Sequence, residues 1–274
     1  MELFTIDQQI CNQDGLCALA CPLGIIDWKA GNLPVPGTDA EKICIRCGHC
    51  VAICPTGAFH HRDMDPAACA PVHPEWQLSA EQCEHFLRSR RSIRTYKQQP
   101  VPRETLTRLI EIARYAPSGI NSQGVRWLVI DNGAKLKHLA GMVIEWMRWL
   151  QREMPEMATA LHVEGAIQRW QAGQDGILRG APALIIAHGE TANRMAPTTC
   201  TIALSYLELA ATGLGLGTCW AGYVNAAVNS YPPLRQALNL AETQQCFGAM
   251  MVGFPRFRYH RLPTRNAPEI TWLD

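Results

Sequence analysis

Two cysteine runs near the start of the chain restrict its fold more than any other feature. CNQDGLCALACPLG begins at Cys11 and CIRCGHCVAICPTG begins at Cys44, an offset of 33 residues. That offset superposes Cys11 on Cys44, Cys17 on Cys50, Cys21 on Cys54, Pro22 on Pro55 and Gly24 on Gly57. The second copy is a complete C-x-x-C-x-x-C-x-x-x-C-P run, and the first departs from it once, with Asp14 opposite Cys47. Three thiolates from a tight loop suit three corners of an iron–sulfur cubane, and the cysteine before proline reaches the other cluster. Thiolates are soft enough for iron–sulfur chemistry, and the small spacers Gly15 and Gly48 let backbone N–H groups face the sulfides. Structural zinc asks for two separated cysteine pairs and four ligands, which two four-point runs fit poorly. A disulfide framework belongs to secreted chains.

Length and charge suggest two jobs. The 274 residues leave room for two domains. Only 18% are charged, which argues against extensive disorder. The net charge of +1 disfavours a nucleic-acid binder. Residues 1–80 hold 4 Lys and Arg against 9 Asp and Glu, a net −5, while the remainder holds 21 against 15, a net +6. An acidic part is joined to a larger basic part. The start, MELFTIDQQICNQ, lacks the basic and apolar regions of a secretory signal, and no apolar run reaches membrane-helix length. A cytoplasmic protein without a membrane span is the expectation.

The boundaries read as 1–62 for the cysteine-rich domain, 63–78 for a linker and 79–274 for the second domain. Pro66, Pro71 and Pro74 make the linker extended rather than floppy. Ser79 and Gln82 form a capping-box pattern that opens a helix to Ser89 or Arg90. Further helices are expected over Thr105–Tyr115, Leu136–Arg152 and Thr198–Thr212, and strands over Val125–Asp131, Ala183–Ala187 and Phe247–Phe254. The order is mixed α+β.

Four segments of the second part carry candidate chemistry. Arg90-Arg91-Ser92-Ile93-Arg94 makes an anion site, because guanidinium groups grip phosphate with charge-assisted bonds. Taken alone it is more often a solvated basic helix end. Pro117-Ser118-Gly119-Ile120-Asn121-Ser122-Gln123 is a polar turn whose amides suit a heterocycle edge. Gly213 through Tyr223 (GLGLGTCWAGY) is glycine-rich but follows a helix, unlike a dinucleotide-binding fingerprint; Gly213 also suits a helix C-cap. Phe257 through Arg265 (FRYHRLPTR) is a second basic cluster. His60, His61, His73 and His85 read as solvent-facing or structural. Cys69, Cys83, Cys200, Cys219 and Cys246 lack ligand spacing and read as buried small hydrophobes.

On these motifs, residues 1–62 resemble a bacterial two-cluster ferredoxin domain, and residues 80–274 are similar to the nitroreductase family of FMN enzymes. The resemblance implies a dimeric, nitroreductase-like α+β FMN fold behind a ferredoxin-like iron–sulfur domain. Crossed ligation in that family implies one [4Fe–4S] cluster on Cys21, Cys44, Cys47 and Cys50. The other cluster takes Cys11, Cys17, Cys54 and whatever Asp14 provides, as [4Fe–4S] or [3Fe–4S]. FMN phosphate and ribityl contacts fall to Arg90, Arg91, Ser92, Arg94, Arg261 and Arg265. Ser118, Gly119, Asn121 and Gln123 reach the flavin from the partner subunit of a homodimer. Trp220, Ala221 and Gly222 line the isoalloxazine. Gly124 stands where the family pattern often has proline.

The implied activity is an oxidoreductase moving electrons from a low-potential donor such as ferredoxin, through the clusters and FMN, to a nitro compound, quinone or activated alkene. Two alternatives remain open at this stage. In one, NAD(P)H is the donor and the clusters are an exit or buffer. In the other, the chain is an electron-transfer or redox-sensing partner with no small substrate of its own. The stretch from Trp146 to Leu178 is expected to cover the pocket.

Overall fold

The computed structural model describes residues 2–273. The chain divides into two compact units, Met1–Gln77 with Gly119–Ser122, and Leu78–Ser118 with Gln123–Asp274.

The first unit is built twice, as its sequence is. Strand β1 (Phe4–Ile6) pairs antiparallel with β4 (Phe59–His61), and β2 (Ile26–Asp27) pairs with β3 (Val35–Pro36). Between them run the short helices α1 (Leu16–Leu19), α2 (Ala40–Ile43) and α3 (His49–Ile53). Helices α1 and α3 each start from a left-handed glycine, Gly15 (φ 71°) and Gly48 (φ 75°). A Cβ at Gly15 would stand 2.5 Å from the Trp28 ring, and one at Gly48 would stand 2.7 Å from Met64 Sδ. Conformation and space both demand glycine there. The core is small: Leu3, Phe4, Ile25, Ile26, Val51 and Phe59 are buried, with the Phe4 and Phe59 rings 4.4 Å apart. A core of this size ordinarily needs disulfides or metal to hold it, and all twelve cysteines of the chain are free thiols.

The segment after β4 is not uniformly extended. Its prolines start two single 3-10 turns, Pro66–Ala68 and Pro74–Trp76, the first capped by Asp65 accepting from the Ala67 N–H. Proline serves these turns at a first position that needs no N–H.

In the second unit, α4 (Ala80–Ser89) carries the full capping box. Gln82 N–H donates to Ser79 Oγ at 3.2 Å, and Ser79 N–H donates to Gln82 Oε1 at 3.0 Å. Then come α5 (Arg103–Ala113), β5 (Arg126–Ile130), α6 (Gly133–Glu153), α7 (Pro155–Ala160), α8 (Val163–Gln171), β6 (Ala183–Glu190), α9 (Ala196–Gly213), β7 (Gly217–Trp220), α10 (Gly222–Ser230), α11 (Pro232–Ala237) and β8 (Gln244–Gly253). Asn132 caps α6 by accepting from the Lys135 N–H, and Pro155 prevents its continuation.

The four strands form an antiparallel sheet in the order β5-β6-β8-β7, with a bulge in β8 where Phe247 is the extra residue opposite Ala187/His188. This sheet divides the core in two. Alternate β6 side chains Leu184 and Ile186 pack with α6, α8 and α10 through Val143, Trp146, Ala166 and Val224. Their neighbours Ala183, Ile185 and Ala187 pack with α5 and α9 through Leu109, Leu204 and Leu207. The α/β/α layering follows from β6 being apolar on both faces. Among the described residues, no helix is long and apolar enough to cross a membrane.

The segments expected as strands and helices are these elements, shifted by one to three residues at most ends. Two differences have clear causes. The glycine-rich stretch contains strand β7, because Gly217 lets Ile93 and Pro255 lie against the backbone where a Cβ would collide with them. Gly213 closes α9 in helical conformation, and Gly215 takes the left-handed turn that follows, at φ 69°. The stretch 146–178 holds the end of α6 together with α7 and α8, and Trp146 is fully buried in the core.

Leu207→Ala, in the interior of α9, should lower unfolding free energy by about 2–5 kcal/mol, whereas Leu19→Ala, at an exposed position, should change it by less than about 0.5 kcal/mol. Denaturant melts of both variants check the contrast.

Candidate functional site

Two cavities in the first unit gather the cysteines. Cys21, Cys44, Cys47 and Cys50 line one of them, walled by apolar side chains such as Leu3, Ile26 and Phe59. Cys11, Asp14, Cys17 and Cys54 line the other, with Gly15 and Ala58. Each cavity thus takes three positions from one loop and the cysteine before proline from the other loop. Ligands that alternate between the copies require the copies to face one another, which the contact between α1 and α3 provides.

The surroundings of the sulfurs are partly dry. Burial pushes the Cys50 thiol up to about 12, and burial likewise raises Cys17. A thiolate there needs a positive partner, which iron supplies. Burial also opposes the Cys54 thiolate, but the Thr56 hydroxyl and the backbone N–H groups of Phe59, Thr56 and Ala58 together bring it below the usual thiol value. Cys44 Sγ accepts from the Arg46 N–H at 3.4 Å and lies 3.6 Å from His61 Nε2. Asp14 Oδ1 accepts from the Leu16 N–H at 3.0 Å, which starts α1. A donor set of four thiols, or of three thiols and a carboxylate, fits an iron–sulfur cluster.

The second unit holds an open cavity of about 550 Å³ with a basic wall. Arg90 and Arg91 enter it from the end of α4, Lys97 from the following strand-like segment, and Arg256 and Arg258 from the chain after β8. The two basic segments, far apart in sequence, meet here: the Arg91 guanidinium lies 5.6 Å from the centre of the Tyr259 ring. Arg90 is held by Glu208 of α9, Nη1 donating to Oε1 at 3.0 Å. Glu208 is only 8% exposed, so it fixes the arginine rather than neutralising the whole wall. Ile93 N–H donates to the Thr218 carbonyl at 2.8 Å, tying the arginine segment to β7. Cys219 of β7 has its thiol raised by burial, against the lowering influence of Arg94 and Arg179.

At the end of β7, Trp220 is 37% exposed, and the Ala221 N–H donates to the Ala249 carbonyl. Ala221 offers no side chain to cap α10, and the space where a Cβ would stand on Gly222 is open. The first N–H groups of α10 therefore have no side-chain cap. Anion-binding arginines at one place and uncapped N–H groups beside an exposed indole at another are the features a flavin nucleotide requires, and the residues present fit that group.

The remaining expected residues fall elsewhere. Ser118 Oγ accepts from the Gln123 N–H at 3.0 Å, closing the polar turn. Within the first unit, Asn121 Nδ2 donates to the carbonyls of Ile45 (3.1 Å) and Arg46 (2.9 Å). Arg261 and Arg265 lie in an exposed irregular tail and do not line the basic cavity. Sequence reasoning missed Glu208, Lys97 and Arg256. Glu208 had a readable signal, as the lone acid in the small-residue helix α9. One minor expectation is corrected: Cys69 and Cys83 are exposed, because their segments pack no core. Of the four histidines expected to be solvent-facing or structural, His61 is buried, because β4 turns it inward.

Comparison with known proteins agrees with this layout. A family model described as the nitroreductase family matches residues 87–254, and one described as a 4Fe-4S dicluster domain matches residues 10–59. An iodotyrosine deiodinase of Thermotoga neapolitana is 27% identical over 136 residues, 48% of this chain and 68% of that protein. The crystal structure of a nitroreductase with bound FMN from Bacteroides fragilis superposes with a TM-score of 0.59 at 23% identity, covering 70% of this chain and 98% of that one. Another, from Desulfitobacterium hafniense, gives 0.55 at 22%, covering 72% and 100%. Fold and family model together define an oxidoreductase joined to an iron–sulfur module. The chain belongs to the nitroreductase family.

Cys47→Ala removes one thiol of a single cavity. Three thiols remain, the donor set of a three-iron cluster, so iron analysis after anaerobic loading should show about one iron fewer than wild type, with a new three-iron signal in paramagnetic resonance.

Proposed function

We propose that this protein is an FMN-dependent oxidoreductase that draws electrons from a low-potential donor such as ferredoxin and delivers them to a small organic acceptor. Nitro compounds, quinones and activated alkenes are the acceptor classes. The observation that carries the proposal is the presence, in one chain of the nitroreductase family, of two cysteine-lined cavities with crossed membership. The clusters supply single-electron transfer, and FMN supplies the conversion of single electrons into pairs.

The chain's own residues bind and orient. Cys21, Cys44, Cys47 and Cys50 would hold one [4Fe–4S] cluster. Cys11, Cys17 and Cys54 would hold the other, with Asp14, which lines the same cavity, as its fourth ligand. Arg90, Arg91, Ser92 and Arg94 would grip the FMN phosphate and ribityl chain, with Arg261 and Arg265 contributing from the tail. Trp220, Ala221 and Gly222 would support the isoalloxazine, and the Gly222 N–H would donate near N5, where it favours the reduced ring. Ser118, Gly119, Asn121 and Gln123 would complete the site across a homodimer.

Three outcomes test this reading. Cys44→Ala should abolish turnover driven by reduced ferredoxin and leave turnover from chemically reduced FMN intact; unchanged ferredoxin-driven rates would falsify the wiring. Arg91→Ala should weaken FMN binding roughly 10- to 100-fold, the value of a charge-assisted hydrogen bond, as read by flavin fluorescence titration. Paramagnetic resonance of the oxidised protein, prepared anaerobically with iron, should show no strong three-iron signal; persistence of that signal would remove Asp14 from the ligand set.

A further inference from the structure

The internal repeat relates more than the cysteines. The offset of 33 that carries Cys11 onto Cys44 also carries Trp28 onto His61. Each stands at the end of the short segment after its Cys-Pro pair: Trp28 directly follows β2 (Ile26–Asp27), and His61 ends β4 (Phe59–His61). Each carries a ring nitrogen; His61 lines one cysteine cavity, and the Trp28 ring lies on Gly15, which lines the other.

At His61 the proton can be placed. The Asp63 N–H donates to Nδ1 at 3.1 Å, which makes Nδ1 the acceptor. In the neutral ring the proton is then on Nε2, and Nε2 is the atom 3.6 Å from Cys44 Sγ. His61 is therefore built to donate an N–H to a ligand sulfur of its cavity. At Trp28 the ring lies on Gly15, a residue lining the other cavity, with Cε2 only 2.6 Å from where a Gly15 Cβ would stand. Nε1, one bond from Cε2, is shielded from solvent and has no hydrogen-bond partner in the protein. A buried N–H left unpaired is costly, and native structures rarely leave one. The acceptors that an occupied cavity would add beside Gly15 are sulfurs.

We propose that Trp28 and His61 are a matched pair of N–H donors, Trp28 Nε1 to the sulfur of the cluster held by Cys11, Asp14, Cys17 and Cys54, and His61 Nε2 to Cys44 of the other. A hydrogen bond to cluster sulfur strengthens when the cluster gains an electron, so each donor raises the reduction potential of its own cluster. Both are tuning residues that act through sulfur, and neither touches substrate. This inference rests on the cluster reading given under Proposed function and adds the means by which the two potentials are set separately.

The experiment uses the full chain, loaded anaerobically, with iron and acid-labile sulfide counted first. Absence of iron would defeat the cluster reading itself. With both clusters present, potentiometric titration followed by paramagnetic resonance reads each midpoint. Trp28→Phe should move one midpoint to more negative potential and leave the second in place; His61→Phe should do the reverse. Trp28→His, which keeps a ring N–H at the site, should return the first midpoint toward its wild-type value. An unmoved midpoint in fully loaded Trp28→Phe would overturn the pairing. Should Trp28→Phe load poorly, pulsed resonance on reduced wild-type protein labelled with 15N-indole decides. A nitrogen coupling from one indole supports the pairing, and the lack of any contradicts it.

Discussion

Everything in the first unit depends on bringing thiolates together in a place that disfavours them. Cys50 and Cys17 are raised by burial, and their like-charged neighbours add to the penalty. Only a strongly positive centre makes such a set favourable, and soft sulfur selects iron–sulfur chemistry. Crossed membership makes the same bonds structural. Each cavity draws on both repeats, so a cluster bound in either would join two half-modules whose shared apolar core is only a handful of side chains, and would couple metal binding to folding.

The second unit solves a different problem. A sheet whose central strand is apolar on both faces must be covered twice, and two helical layers do so. That leaves the ends of the strands free for chemistry. The arginine segment is tied to β7 by the Ile93–Thr218 bond, which requires Gly217, and the chain after β8 returns to the same place. The basic wall is thus assembled where the segment after α4 meets the chain after β8, with the buried Glu208 orienting Arg90.

The cysteine repeat was legible because ligand geometry is local: spacing within a loop decides which sulfurs converge, and the offset of 33 exposes the second copy. Long amphipathic helices such as α5 and α6 were legible for a similar reason, since their apolar period declares one buried face. Strand β7 was not, because Gly213, Gly215 and Gly217 break up the stretch and leave only Thr218-Cys219-Trp220, a run too short to show strand alternation. The convergence of Arg91 with Tyr259 was also hidden, for it joins segments about two-thirds of the chain apart. His61 illustrates a third limit. Nothing in HHRD marks which histidine turns inward; pairing with β1 decides it.

The most direct test of the account follows electrons in time. The oxidised protein is mixed without oxygen with a reduced low-potential ferredoxin, and the absorbance of clusters and flavin is resolved on the stopped-flow scale. Bleaching of the cluster bands before the flavin band is the predicted order. Flavin reduction that precedes cluster reduction, or proceeds without it, would contradict the account.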